Sequence, residues 1–155
     1  MSRQVKGIVI AVCFSSNGGI PKHPQLQVNV GALGIEGDYH AGPGRRQVSV
    51  VAKETFKALE AELGVVVSPG GFGENVLVEG LGDLSDLQPA DILCFASGVE
   101  LEVTAQNEPC RNLMVHHPLV PKLAYGRRGI VATVRSGGLL KPGDPVWKRA
   151  PLSDS

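Results

Sequence analysis

The three cysteines of this chain sit in different company, and the difference separates one candidate reactive thiol from two inert ones. Cys13 (Ala-Val-Cys-Phe) and Cys94 (Ile-Leu-Cys-Phe) lie inside apolar runs, where a thiol packs as a small hydrophobe and stays protonated. Cys110 follows Gln106-Asn107-Glu108-Pro109 and precedes Arg111, in a polar loop just past an expected strand end. An adjacent cation favours the thiolate, the form that serves as nucleophile or metal ligand. An ordinary exposed loop cysteine is the plain alternative, and composition alone gives the two about equal weight.

Two Gly-Arg-Arg triplets, Gly44-Arg45-Arg46 and Gly126-Arg127-Arg128, add a second chemical signal. Glycine lets backbone N–H groups converge on an anion, and guanidinium groups match phosphate oxygens bidentately. Solvated surface arginines are the competing reading for each pair. Gly37-Asp38-Tyr39-His40-Ala41-Gly42 offers His40 as a proton donor or ligand-orienting group, with Asp38 placed to fix its tautomer. Asn75 follows the glycine-rich turn at 69–73, where its amide could read a polar ligand edge or cap the turn. His116 and His117 are adjacent and point apart, so a zinc site built from them and Cys110 lacks the usual spacing. The loop carboxylates Glu36, Asp38 and Glu74 form no convincing acid–base pair, and phosphate-loop, nucleophile-elbow and dinucleotide motifs are absent.

The elements that must position these groups are mostly strands. Gly7 to Phe14 is apolar and β-branched, as a strand buried on both faces reads. Leu26 to Val30 alternates with period two, and further strands are expected at 47–51, 75–79, 92–95, 100–105, 130–135 and 146–148. Residues 31–46 read as a glycine-rich loop, and 136–138 as a turn. One convincing helix spans Lys53 to Leu63, with Phe56, Leu59 and Leu63 on one face, Gly64 as its stop and no clear N-cap. Residues 109–128 resist a regular reading beyond one or two short helical turns. Leu87-Gln-Pro-Ala-Asp-Ile-Leu and Leu140-Lys-Pro-Gly-Asp-Pro-Val echo each other as equivalent turns leading into strands. Closely spaced strands with one long helix predict a mainly β fold, a closed or nearly closed β-barrel.

A chain of 155 residues fits one domain, placed at residues 5–148 with a C-terminal tail at 149–155. The 43% hydrophobic and 19% charged content favours neither a disordered chain nor a coiled coil, and 20 Gly with 11 Pro fit many tight turns. Lys plus Arg balances Asp plus Glu at 15 each, which argues against a general nucleic-acid surface and makes any anion site local. Arg3 and Lys6 before an apolar run imitate a secretory signal, but the run is short and no small-residue cleavage pattern follows. No stretch reaches the ~20 apolar residues a membrane span needs. An odd number of cysteines suits a reducing compartment, so the cytoplasm is the expected location.

Gly34-Ile-Glu-Gly-Asp-Tyr-His-Ala-Gly, Gly73-Glu-Asn-Val, Leu101-Glu-Val-Thr, Pro109-Cys110, Arg128-Gly-Ile and Lys141-Pro-Gly-Asp, in this order, resemble the MOSC domain of molybdenum cofactor sulfurases. The resemblance runs from about Val5 to Trp147 and implies a barrel of the MOSC or pyruvate-kinase-barrel type in a standalone bacterial-type protein. It implies that Cys110 either coordinates molybdenum or carries sulfur as a persulfide. It also implies that the loop Gly37 to Gly42, Arg46, Asn75, Thr104 and Arg128 line a pocket for molybdopterin, some relatives reducing N-hydroxylated compounds. Tyr39 and Asn107 stand where many relatives carry arginine, which removes cationic charge from the expected phosphate and thiol positions. The pyridoxal-phosphate domain of the sulfurase proper has no counterpart, so sulfur would come from a partner such as a cysteine desulfurase, and electrons from an electron-transfer partner. A third reading, from a different class, is a non-catalytic barrel that binds an anion or a partner protein.

Overall fold

Burial with period two builds the wall of this protein. In the computed structural model, which describes residues 5–151, the elements in chain order are β1 (Lys6–Phe14), β2 (His23–Gln25), β3 (Val28–Gly31), β4 (Gly34–Ile35), β5 (Val48–Ala52) and α1 (Lys53–Leu63). They continue with β6 (Val76–Glu79), β7 (Ile92–Phe95), β8 (Glu100–Gln106), a 3-10 turn (Arg111–Val115), α2 (Val120–Leu123), β9 (Ile130–Ser136), β10 (Gly138–Leu140) and β11 (Pro145–Arg149). Seven strands close in the order β1-β6-β5-β9-β8-β7-β11, with β11 returning to β1, and β2 adds to the end of β1. Closure leaves the seven strands without a free edge. Every neighbouring pair is antiparallel except β5 and β6, and that parallel pair is joined through α1, as a parallel connection requires.

Alternate residues divide between two cores. Val9, Val12, Val48, Val50, Val76, Val78, Leu101, Val103, Ile130 and Ala132 fill the barrel. Ala11, Cys13, Val51 and Leu77 point outwards and are covered by Phe56 and Leu59 of α1, Phe72, Leu113, Val120 and Ala124. The first strand is therefore buried on both faces over Val9 to Cys13, where the barrel interior and the helical cover flank it, whereas Ile8 near its start is exposed. A register shift between Val9 and Ala11 keeps valine inside on both sides of it. The helix begins directly from the strand at Ala52, with no side-chain cap, and ends on Gly64 at φ 68°, whose N–H donates to the Glu60 carbonyl.

The two echoing segments are the same turn. Gln88-Pro-Ala-Asp and Lys141-Pro-Gly-Asp each place proline second, a positive φ third (Ala90 77°, Gly143 96°) and an aspartate fourth. The carboxylates of Asp91 and Asp144 accept the N–H of Gln88 (2.9 Å) and Lys141 (3.0 Å). The turns launch β7 and β11, which pair with each other.

Three expectations change. The strand expected at Leu26 to Val30 is confined to Val28–Gly31: β2 (His23–Gln25) pairs with β1 just before it, the chain then leaves the barrel at 26–27, and β3 pairs with β4 and β10 in a separate three-stranded sheet. Leu26, at the crossing point, is 94% exposed. The loop 31–46 contains β4, and the turn 136–138 runs into β10, because both find a partner in β3. Alternation reports which way side chains face, and it says nothing about which sheet supplies the partner.

Candidate functional site

The connection from β8 to β9 carries the candidate thiol. Its two ends are tied where the Asn107 N–H donates to the Gly129 carbonyl at 2.8 Å. Gly129 has φ 114°, and a Cβ there would lie 2.1 Å from the Val50 carbonyl, so only glycine lets the chain pass so close to β5. Cys110 and Arg128, 18 residues apart, thereby meet: Arg128 Nη1 lies 3.5 Å from Cys110 Sγ and donates to the Glu108 carbonyl at 3.0 Å. Arg128 Nη2 donates to the Phe72 carbonyl at 3.0 Å, while its buried Nε has no partner among the described residues. The Cys110 thiol is exposed and also meets Asn112 Oδ1. The cation at the sulfur is therefore Arg128, whereas Arg111 opens the 3-10 turn and does not line the cleft.

A cleft of about 230 Å³ opens in front of this pair, lined also by His40, Arg46, Asn75 and Asn107. Arg46 lies just before β5, and its Nη2 donates to Asn107 Oδ1 at 2.9 Å across the opening. The other face rests on the loop 69–73, folded around Glu74. That carboxylate is fully buried and accepts the N–H groups of Gly70 (2.8 Å) and Phe72 (3.0 Å). Burial pushes its pKa up to about 7, opposed by those N–H groups and by the Arg128 charge. Glu74 thus shapes the loop whose Phe72 carbonyl holds Arg128.

Asp38 is not the partner expected for His40. It is buried and accepts two hydrogen bonds from Lys22 Nζ, both at 2.7 Å, as well as the backbone N–H of Ser15 and of His40. His40 Nδ1 stands 4.0 Å from Asp38 and 3.2 Å from Lys22 Nζ. Lys22 is only 2% exposed, and nothing in Ile20-Pro-Lys-His-Pro marks it: its partners arrive from a loop 16 and 18 residues on.

Of the expected residues, the fold gathers Cys110, His40, Arg46, Asn75 and Arg128 around the cleft. Asn75 faces it, yet its amide is committed within the barrel: Oδ1 accepts the Ser49 N–H at 3.0 Å and Nδ2 donates to the Cys13 carbonyl at 3.1 Å. Thr104 spends its hydroxyl on the carbonyls of Arg45 and Val131. Arg127 points to the outside of α1, with Nη2 on the Glu62 carboxylate at 2.9 and 3.1 Å and Nε on the Leu123 carbonyl. Arg45 lines an adjoining groove that shares His40 and Arg46 with the cleft and contains Gly42, whose N–H donates to the Leu33 carbonyl. Gly37 backs onto the Phe14 ring. Each Gly-Arg-Arg triplet thus delivers one guanidinium to the cleft, Arg46 from the first and Arg128 from the second. His116 and His117 are taken by backbone groups, the Gly71 carbonyl of the loop 69–73 and the Leu119 N–H.

The MOSC domain profile matches residues 36–147. In sequence, the chain is 31% identical over 144 residues to YuaD of Bacillus subtilis, a protein named for metal-sulfur cluster biosynthesis, covering 83% of this chain and 75% of that one. The chain belongs to the MOSC domain family. The crystal structure of YuaD from Bacillus subtilis superposes with a TM-score of 0.85 and 23% identity over 98% of this chain and all of the other. YiiM from Geobacillus stearothermophilus superposes at 0.75 and 24% identity, covering 92% of this chain and 75% of that one, and YiiM from Escherichia coli at 0.68 and 23%, covering 95% and 72%. These structures share the fold of this MOSC barrel.

Among the described residues, no group of three or more His, Cys, Asp and Glu could hold a metal ion. A bare ion therefore finds no cage here. One exposed sulfur with the Arg128 guanidinium 3.5 Å away and Arg46 in the same lining fits instead a metal that arrives with ligands and negative charge of its own, because a soft thiolate then completes the set and arginines match the anionic part. The unpartnered Arg128 Nε is a spare donor at that position.

Proposed function

We propose that this MOSC protein binds a molybdopterin-type molybdenum cofactor in the cleft and that Cys110 Sγ is the ligand the chain supplies to the metal. The observation that carries the reading is the Arg128 guanidinium 3.5 Å from an exposed Cys110 Sγ. Bound there, the metal would supply two-electron redox chemistry of the kind that reduces N-hydroxylated compounds, with electrons from a partner. The chain's own residues perform three tasks. Arg128 and Arg46 offer guanidinium donors to anionic oxygens, Cys110 presents its sulfur, and His40 presents its ring, all from the lining of one cleft.

The Bacillus relative, named for metal-sulfur cluster biosynthesis, favours a second reading, sulfur transfer. In that case the Cys110 thiolate attacks the outer sulfur of a cysteine desulfurase persulfide. A new S–S bond forms on Cys110, the donor's S–S bond breaks, and the desulfurase thiolate leaves, so no external oxidant or reductant is needed.

One preparation tests both. Protein from cells that make the cofactor is assayed for molybdenum and for cyanide-releasable sulfur, in wild type and Cys110→Ser. Molybdenum present in wild type and lost in the variant supports the cofactor reading, whereas labile sulfur without molybdenum supports transfer. Neither element in wild type refutes both.

A further inference from the structure

The buried lysine behind His40 has a countable set of hydrogen bonds. An ammonium has three N–H donors and no acceptor. Lys22 Nζ has three partners: Asp38 Oδ1 and Oδ2 at 2.7 Å each, and His40 Nδ1 at 3.2 Å. With the carboxylate taking two of the donors, the third points at the imidazole. A proton on Nδ1 would set donor against donor at that distance. The remaining ring nitrogen, Nε2, has no partner among the described residues, and His40 lines the cleft with its side chain about half exposed.

We infer that Lys22 is a positioning residue: it holds His40 as the Nε2–H tautomer, so that the cleft meets a hydrogen-bond donor and not a base. The ligand atom opposite it is then an acceptor oxygen, and with Arg46 and Arg128 in the same lining the matching group is an oxyanion. This assignment of ligand class deepens the cofactor reading and rests on it, whereas the tautomer depends on the protein alone.

The charges around His40 support the arrangement. Its pKa is lowered from the ordinary 6.5, first by burial and then by Lys22, with Arg46 acting in the same direction and Asp38 opposing. Tyr39 meets the ring edge-on at 5.2 Å between centroids. The imidazole therefore stays uncharged to lower pH than a free histidine.

Long-range proton–nitrogen correlation NMR on protein labelled at the histidine ring nitrogens reads the tautomer directly. The expected result at pH 7 is a protonated Nε2 and a bare Nδ1 for His40. A protonated Nδ1, or a doubly protonated ring, overturns the inference in the wild type itself, whether or not any variant folds. In Lys22→Met, the expected result is loss of the fixed tautomer, seen as a mixture of both forms; an unchanged pure Nε2–H signal also overturns it. Titration with inorganic phosphate then tests the ligand class. Wild type should bind with a shift of the His40 Nε2–H signal, His40→Gln, whose amide can place an N–H at the same position, should bind within about threefold of it, and His40→Phe should bind about tenfold or more weakly. No phosphate response in wild type, or full affinity in His40→Phe, overturns the oxyanion assignment. The tautomer and the phosphate response are read on wild-type protein free of molybdenum, so loss of molybdenum in Cys110→Ser and failure of the His40 donor are read separately.

Discussion

Replacing Asn75 by alanine distinguishes a residue that reads a ligand from one that ties strands together. The Asn75 side chain is 1% exposed. Its oxygen takes the Ser49 N–H of β5, its nitrogen donates to the Cys13 carbonyl of β1, and β6, which starts at the next residue, pairs between those two. Alanine removes both bonds and leaves a backbone donor and a backbone acceptor without partners in a place that water reaches poorly. Each such group costs about 1–3 kcal/mol, and partial rescue by neighbours such as the Ser49 hydroxyl puts the loss at about 2–4 kcal/mol. For a domain of this length, that corresponds to a fall in Tm of roughly 5–15 °C. Urea unfolding at pH 7 should show a lower midpoint with an unchanged slope, since the surface exposed on unfolding is the same. A loss under about 0.5 kcal/mol accompanied by failure to load cofactor would refute the reasoning and return the amide to the ligand.

Three further outcomes are expected. Native protein should react with a thiol reagent at one site, Cys110, mapped by mass spectrometry; Cys13, whose pKa burial and the Glu74 charge push up to about 12, and Cys94, raised by burial, should react only after unfolding. Glu74 has a folded pKa of about 7 against 4.5 unfolded, so between these values the native state binds more protons and stability should fall as pH rises, by up to about 3 kcal/mol above pH 7. His40, with its lowered pKa, contributes the opposite slope below pH 6.5, so the Glu74 contribution is read as the difference between wild type and Glu74→Gln in urea titrations from pH 5 to 8. A difference that does not vary with pH would show that Glu74 ionises as it does in the unfolded chain. Finally, Ala90→Gly should stabilise and Gly143→Ala destabilise, each by about 0.5–1 kcal/mol in thermal unfolding, because both positions hold a positive φ in the same turn.

Local physics in the chain was sufficient for the barrel strands, for α1 with its Gly64 stop, for the twin proline turns and for the contrast among the three cysteines. Each depends on side-chain period, backbone permissiveness or neighbouring polarity, all of which are written within a few residues. The sheet switch at Leu26 was not legible, because alternation does not name a pairing partner. The same limit applies to the site. Arg111 is next to Cys110 in the chain, yet Arg128 reaches the sulfur, since Gly129 lets the returning strand pass against Val50 and ties both ends of the connection together. Asp38 is two residues from His40, yet Lys22 faces its ring, because the carboxylate is occupied by an ammonium from another loop. Sequence determined which chemical groups the protein has and which segments could be strands; barrel closure alone decided which of those groups meet, because a hydrogen bond or ion pair depends on a distance of about 3 Å that chain separation does not encode.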